Sequence, residues 1–290
     1  MKYTVSGFTD EAGVSAAEQI NACLDNKIGY IEVRNVNGKN LKELSLADVK
    51  EFKKQLDAAG IKVSAAGSPF GKTSIADDFS PELESFKSYA EKMHILETKM
   101  LRFFSFYDAI SEPEAHKAEI LSRINAMMDI APGVIFCHEN ERAIFGNIPQ
   151  RCRELCDAFG GRMKLVFDPA NFIVDKIEVI GAYDLLEADI EYFHIKDALL
   201  ANGEIVPAGC GDGKIAEILK RFACKGKDAF LSVEPHLKVD DKGRGMAVKT
   251  GYVYDTGAEA FGAACAALSG VLASIGFAAE NKGAPGVYVK

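Results

Sequence analysis

The sequence predicts an α/β chain of the (β/α)8 class, the TIM barrel. Three observations carry that expectation. Eight short apolar runs alternate with eight helical patterns along the 290 residues. Parallel strands need crossover connections, and eight repeats favour closure over an open doubly wound sheet. The fifth to eighth runs, VIFCHE, KLVFD, EYFH and AFLSVE, each end in a metal-type side chain: Glu139, Asp168, His194 and Glu234. Such a group is costly to bury alone, so four endings in succession suggest strands delivering polar groups to one rim.

The first strand is expected over 3–8 and a helix over 14–26. A second strand at 29–34 precedes SLADVKEFKKQLDAAG, a helix over 45–59. Ser45 can cap it, Leu46, Val49, Phe52 and Leu56 make one apolar stripe, and Gly60 ends it. The third strand covers 61–66. Ser80-Pro81 then reads as an N-cap followed by Pro at the first helical position, opening a helix over 80–97. After a strand at 100–106, Ser111 opens an acidic first turn, and the helix runs over 112–130 to Pro132-Gly133. Strands at 133–139, 164–168, 190–195 and 229–234 alternate with helices at 148–159, 177–187 and 214–222. A last helix covers 257–275. The GCGDG run at 209–213 follows the seventh strand and reads as a tight turn rather than a nucleotide cradle. No GxGxxG follows the first strand, so dinucleotide binding has no support. No linker divides the chain, so residues 1–290 are expected to form one barrel domain. The segment 237–256 is the longest irregular stretch, placed where a lid or a homo-oligomer arm could sit.

Composition narrows the function. Hydrophobic residues make up 48% and the net charge is −8, with no basic block. Nucleic acid and anionic membrane surfaces are therefore not expected partners. The N-terminus lacks the apolar core of a signal peptide, and no apolar run reaches the roughly 20 residues of a membrane span. A cytoplasmic location follows as an expectation, with the seven scattered cysteines reduced. Cys152 and Cys156, four apart on a helix, match no redox or zinc motif and read as small buried hydrophobes.

Side chains alternate along a strand, so parity tests the metal reading. If Glu139 points into the barrel mouth, so does Cys137, while His138 points toward the helices. Asp168 groups with Val166, His194 with Tyr192 and Lys196, and Glu234 with Ser232 and His236. Glu139, Asp168, His194 and Glu234 offer three carboxylates and an imidazole, a donor set for one divalent ion: Mn2+, Mg2+, Co2+ or Zn2+. Around them, Lys196 could donate to a substrate oxygen or make a structural ion pair. Glu32 and Arg34 share one face of strand 2, fitting ligand contact or a plain ion pair. Arg102 sits deeper and favours a core ion pair. Ser68 and Lys72 in SPFGK could meet a phosphate or carboxylate, or line a solvated loop. His236 could bond a substrate hydroxyl or support the metal ligands. Phe8, Phe70 and Phe106 could wall a ligand or simply pack.

SPFGK, RFFSFY, HENE, FDPANF, HIKD, PAGCGDG and SVEPHL, in this order, resemble the sugar phosphate isomerase/epimerase family. That family belongs to the xylose isomerase-like barrels and is similar to the tagatose 3-epimerase and inosose dehydratase groups. The resemblance runs from the first strand to about residue 240. It implies that Glu139, Asp168, His194 and Glu234 hold the metal. It further implies that Glu139 and Glu234 are the catalytic pair, moving a proton of a sugar, sugar phosphate or polyol through a metal-bound enediolate. The chain departs from the ketose 3-epimerases at Asn171, a substrate-contact position where they commonly carry His. It also lacks the Arg that follows their metal His. A metal-dependent keto-polyol dehydratase and a non-catalytic sugar-binding barrel are the alternative readings.

Overall fold

Eight parallel strands surround an apolar interior in a computed structural model that describes residues 1–238, 252–280 and 285–290. They are β1 (Lys2–Gly7), β2 (Tyr30–Val33), β3 (Lys62–Gly67), β4 (Met100–Phe103), β5 (Ile135–Glu139), β6 (Met163–Phe167), β7 (Ile190–Ile195) and β8 (Ala229–Val233). Each is short and apolar because a strand covered on both faces needs no polar alternation. Ladders join β1 to β8 and then β7 through to β2 in descending order, all parallel. β1 lies against β2 and completes the ring.

That seam carries an addition not foreseen in the sequence. The strand Val287–Val289 pairs antiparallel with the start of β1, matching Tyr3 to Tyr288. Just before it, Pro285 O accepts from Gly29 N at 3.1 Å and Gly286 O accepts from Val5 N at 2.9 Å. One chain end is thus wedged between the first two strands.

The helices on the outside are α1 (Ala16–Asp25), α2 (Leu46–Ala58), α3 (Ser80–Ile95), α4 (Pro113–Ile130), α5 (Pro149–Phe159), α6 (Pro169–Val174), α7 (Val179–Leu186), α8 (Ile215–Ala223) and α9 (Gly257–Ser274). Local chemistry sets their starts. Ser45 and Asp48 form a reciprocal capping box on α2, and Gly60 follows with φ +71°. Two caps differ from expectation. Ser80 is already helical, and Asp78 accepts from its backbone N–H at 3.0 Å and its hydroxyl at 2.8 Å. Ser111 does not cap α4; its hydroxyl donates to Asp108 O, and Pro at the helix start makes a cap less necessary. α6 was not anticipated, because six residues carry too little periodicity to register.

α9 is the one helix among the described residues that is long and apolar enough to cross a membrane by length and composition. Ala260, Phe261, Ala264, Leu268, Val271 and Leu272 are buried on it, and it packs on β8, α1 and α8. Cys152 and Cys156 are buried, and all seven cysteines are free. Of the segment 237–256, residues 239–251 lie outside the described residues.

Candidate active site

The C-terminal ends of β5 to β8 bring Glu139, Asp168, His194 and Glu234 together, with one donor atom from each lying within 4.8 Å of the others. All four are buried. Strand phase does this: Cys137, Val166 and Tyr192, two residues before the first three, pack together inside the barrel. Asp168 has a second task that fixes its angle. Its Oδ1 caps α6, accepting from Ala170 N at 2.9 Å and Asn171 N at 3.2 Å. Its other oxygen stands 2.9 Å from Lys196 Nζ. Asn140 staples β5 to β6, donating to Asp168 O and accepting from Asp168 N.

His194 Nδ1 faces Glu139 Oε1 at 3.0 Å and Glu234 Oε2 at 3.6 Å. Burial would lower the His194 imidazole, but Glu139 and Glu32 raise it to about 10. Burial would raise the Glu139 carboxyl, yet His194 and Arg102 hold it near about 2. Glu234 is held well below the carboxylate range against burial by Lys196 and His236. Asp168 moves the other way, to about 6, because burial outweighs Lys196 and the neighbouring Glu139 and Glu234 add repulsion. Opposite charges thus alternate through a dry cluster.

A cleft of about 600 Å³ opens above it, lined by Arg34, Ser68, Lys72, Arg102, Asn171, Lys196 and His236 as well as Glu139 and Glu234. Lys196 Nζ sits 3.0 Å from Glu234 Oε2. Arg34 is shared by Asp10, Glu11 and Glu234 at 2.9, 3.2 and 3.1 Å. Arg102 lines the cleft and meets Glu139 at 3.4 Å, so its ion pair involves the site itself. Ser68 Oγ donates to Arg102 O at 2.6 Å, and Lys72 pairs with Glu141 at 2.8 Å. Asn171 Nδ2 donates to Asn140 O at 2.9 Å and approaches Glu139 Oε1 at 3.4 Å. His236 adopts φ +46°, a left-handed conformation held by its backbone N–H donating to Glu11 Oε2 at 2.7 Å. Its ring lies 3.2 Å from Glu11 and 3.3 Å from Glu234. Burial would lower the His236 ring, and these carboxylates raise it to about 9.

Some expectations are relocated. Glu32 lies outside the cleft lining, buried against Tyr192 and His194. Phe8, Phe70 and Phe106 are fully buried, so they pack rather than wall a ligand. Phe8 sits under Arg34 and edge-on to His194. Glu11, in the 3-10 turn Thr9–Glu11, and Asn140 and Glu141, in the loop after β5, went unnoticed because such short segments carry no periodicity. Asn140 and Glu141 had a signal, as the neighbours of Glu139 in HENE. The glycine run is indeed a turn. Gly209, Gly211 and Gly213 donate their N–H groups to the buried Asp197 carboxylate at 2.9 to 3.0 Å. A Cβ on Gly211 would collide with that carboxylate.

His138 points outward and bonds Ser105 Oγ at 2.9 Å. Burial, opposed weakly by Glu139, holds its ring down to about 3. An unfolded His titrates near about 6.5. Between those values only the unfolded chain binds this proton, so stability falls as pH drops from about 6.5 towards 3. His138→Gln is expected to flatten that limb in acid-melt series, while costing about 1–3 kcal/mol at neutral pH through the lost buried bond. Parallel acid limbs in the two proteins would contradict the burial argument.

The family model for the xylose isomerase-like TIM barrel matches residues 20–250. The chain belongs to that family. No curated protein matches it in sequence. Among solved structures, the xylose isomerase-like barrel is similar to the probable 3-DHS dehydratase AsbF of Bacillus anthracis, with 15% identity, a TM-score of 0.71, and 92% of this chain and 98% of that one covered. It is similar to the IOLI protein with a bound zinc atom at 18% identity and a TM-score of 0.71, covering 95% and 99%. D-psicose 3-epimerase matches at 16% identity and a TM-score of 0.70, covering 95% and 100%. These identities establish the shared fold alone.

Proposed function

We propose that this xylose isomerase-like barrel is a divalent-metal-dependent isomerase or epimerase of an uncharged sugar or polyol. The carrying observation is the pair Glu139 and Glu234, from β5 and β8, flanking one imidazole nitrogen and both lining the cleft. Three carboxylates and an imidazole suit Mn2+, Mg2+, Co2+ or Zn2+. When bound, such an ion would polarise a carbonyl as a Lewis acid. Glu139 and Glu234, both ionised, are the bases that would take and return a carbon-bound proton. Lys196, charged and fixed between two carboxylates, would donate to a substrate oxygen. Asn171 Nδ2 orients Glu139 and can reach a hydroxyl.

Charge pairing argues for a neutral substrate. Among the described residues, every cation lining the cleft already has a carboxylate partner: Arg34, Lys72, Arg102, Arg142, Lys196 and His236. Recruiting Lys72, Arg142 or Lys196 for a phosphate would take from Glu141, Asp175 or Asp168 its lysine or arginine partner. Ser68, whose hydroxyl is committed to the β4 backbone, adds no free donor. Deuterium exchange from D2O into ketoses, aldoses and inososes, each beside its phosphate ester, tests this. Exchange is expected with a neutral member; turnover confined to the esters would overturn it.

One observation favours a dehydratase of a keto-polyol as the second reading. His236 is protonated, faces the cleft and touches Glu234, so it could give a proton to a leaving hydroxyl. Product mass separates the two, since only dehydration loses water.

A further inference from the structure

Glu32 is a buried carboxylate that the proposed proton transfer does not use. It lies on β2, whereas His194 lies on β7, so its side chain crosses the barrel interior. In the β2–β3 ladder Ile31 pairs with Val63 and Glu32 with Ala65, so the extra residue at this shift, Ser64, lies on β3, and Glu32 keeps the inward phase it shares with Arg34, one pleat deeper. The carboxylate accepts from Tyr192 Oη at 2.8 Å. Both of its oxygens stand 3.3 Å from His194 Nε2. The opposite ring nitrogen, Nδ1, is the one that faces Glu139 and Glu234. Phe8 meets the ring edge-on, with centroids 5.1 Å apart, and limits its rotation.

A metal-binding imidazole offers one lone pair and keeps one N–H, and the bond made by that N–H selects which nitrogen binds. We infer that Glu32 is a positioning residue: by accepting from Nε2–H it presents the Nδ1 lone pair of His194 to the metal. Tyr192, donating to the same carboxylate, holds Glu32 in place. This rests on reading Glu139, Asp168, His194 and Glu234 as one metal site. It explains why a carboxylate is kept below the cleft, where no substrate reaches it.

The full-length protein, labelled with 15N-histidine and loaded with cadmium-113, provides the direct test. Scalar coupling is expected from cadmium to His194 Nδ1, with Nε2 still protonated. Zinc titration of variants gives the second readout. Glu32→Leu is expected to weaken the zinc Kd by about 10–100-fold. Glu32→Gln, which keeps an acceptor oxygen for Nε2–H, should recover most of that loss. Coupling through Nε2 would overturn the inference, as would a folded Glu32→Leu protein that binds zinc as tightly as the wild type. Should Glu32→Leu fail to fold, the wild-type coupling and the Gln variant still decide. A wild type that binds neither ion at His194 fails the metal reading itself and takes this inference with it. Binding that ignores Glu32 fails the inference alone.

Discussion

Glu139→Gln and Glu234→Gln are each expected to lower proton exchange by about 10²–10⁴-fold, the usual contribution of a positioned acid or base. The amide keeps the shape and an oxygen donor but removes the basicity. The two variants should fail differently. If each carboxylate serves one face of the substrate carbon, each single variant still exchanges deuterium into the epimer its surviving partner deprotonates. It should lose exchange into the other. The double variant loses both. Metal content measured on the same samples separates lost chemistry from lost metal. Unchanged exchange in the Glu139 variant, with metal retained, would remove Glu139 from the mechanism. Turnover of no sugar by the wild type would favour a binding protein over an enzyme.

Metal binding should tighten steeply with pH. The His194 imidazole, raised to about 10 by Glu139 and Glu32 against burial, is protonated at neutral pH before an ion arrives. An ion needs the lone pair, so that proton must leave. Apparent affinity should therefore rise about tenfold per pH unit between about 6.5 and 8.5, with about one proton released per ion. Asp168, raised to about 6 chiefly by burial, adds a second proton below that value and steepens the loss in acid. Calorimetry of Mn2+ or Zn2+ binding in buffers of different ionisation enthalpy counts the protons. A flat profile would mean that His194 is not a ligand.

Much of this arrangement was legible before the structure. The eight strand positions were readable because strands buried on both faces leave unbroken apolar runs. The clustering of Glu139, Asp168, His194 and Glu234 was readable because Cys137, Val166 and Tyr192 share the phase of the residues that follow them. What escaped were features that break periodicity. Glu32 escaped for another reason: it shares the inward phase of Arg34, but its place two residues earlier on β2 puts it below the cleft, against Tyr192 and His194. Arg102 was expected deeper than the mouth, but β4 ends at Phe103, so Arg102 stands near its C-terminal end, lines the cleft and meets Glu139. Ser80 and Ser111 looked like caps because their neighbours matched the pattern; Asp78 supplies the acceptor in one case. Glu11 could not be foreseen, since nothing in the first turn announces that it will hold His236 in a left-handed backbone.

The wedge between β1 and β2 has a kinetic consequence. β1 is translated before the other seven barrel strands, yet Val287–Val289, one of its two ladder partners, follows all of them in sequence. Its other, β8, is also late. Contacts so distant in sequence are slow to form. The nascent chain must therefore carry β1 with both hydrogen-bonding edges exposed while the rest of the barrel is made, an aggregation hazard that ends only when β8 and Val287–Val289 dock.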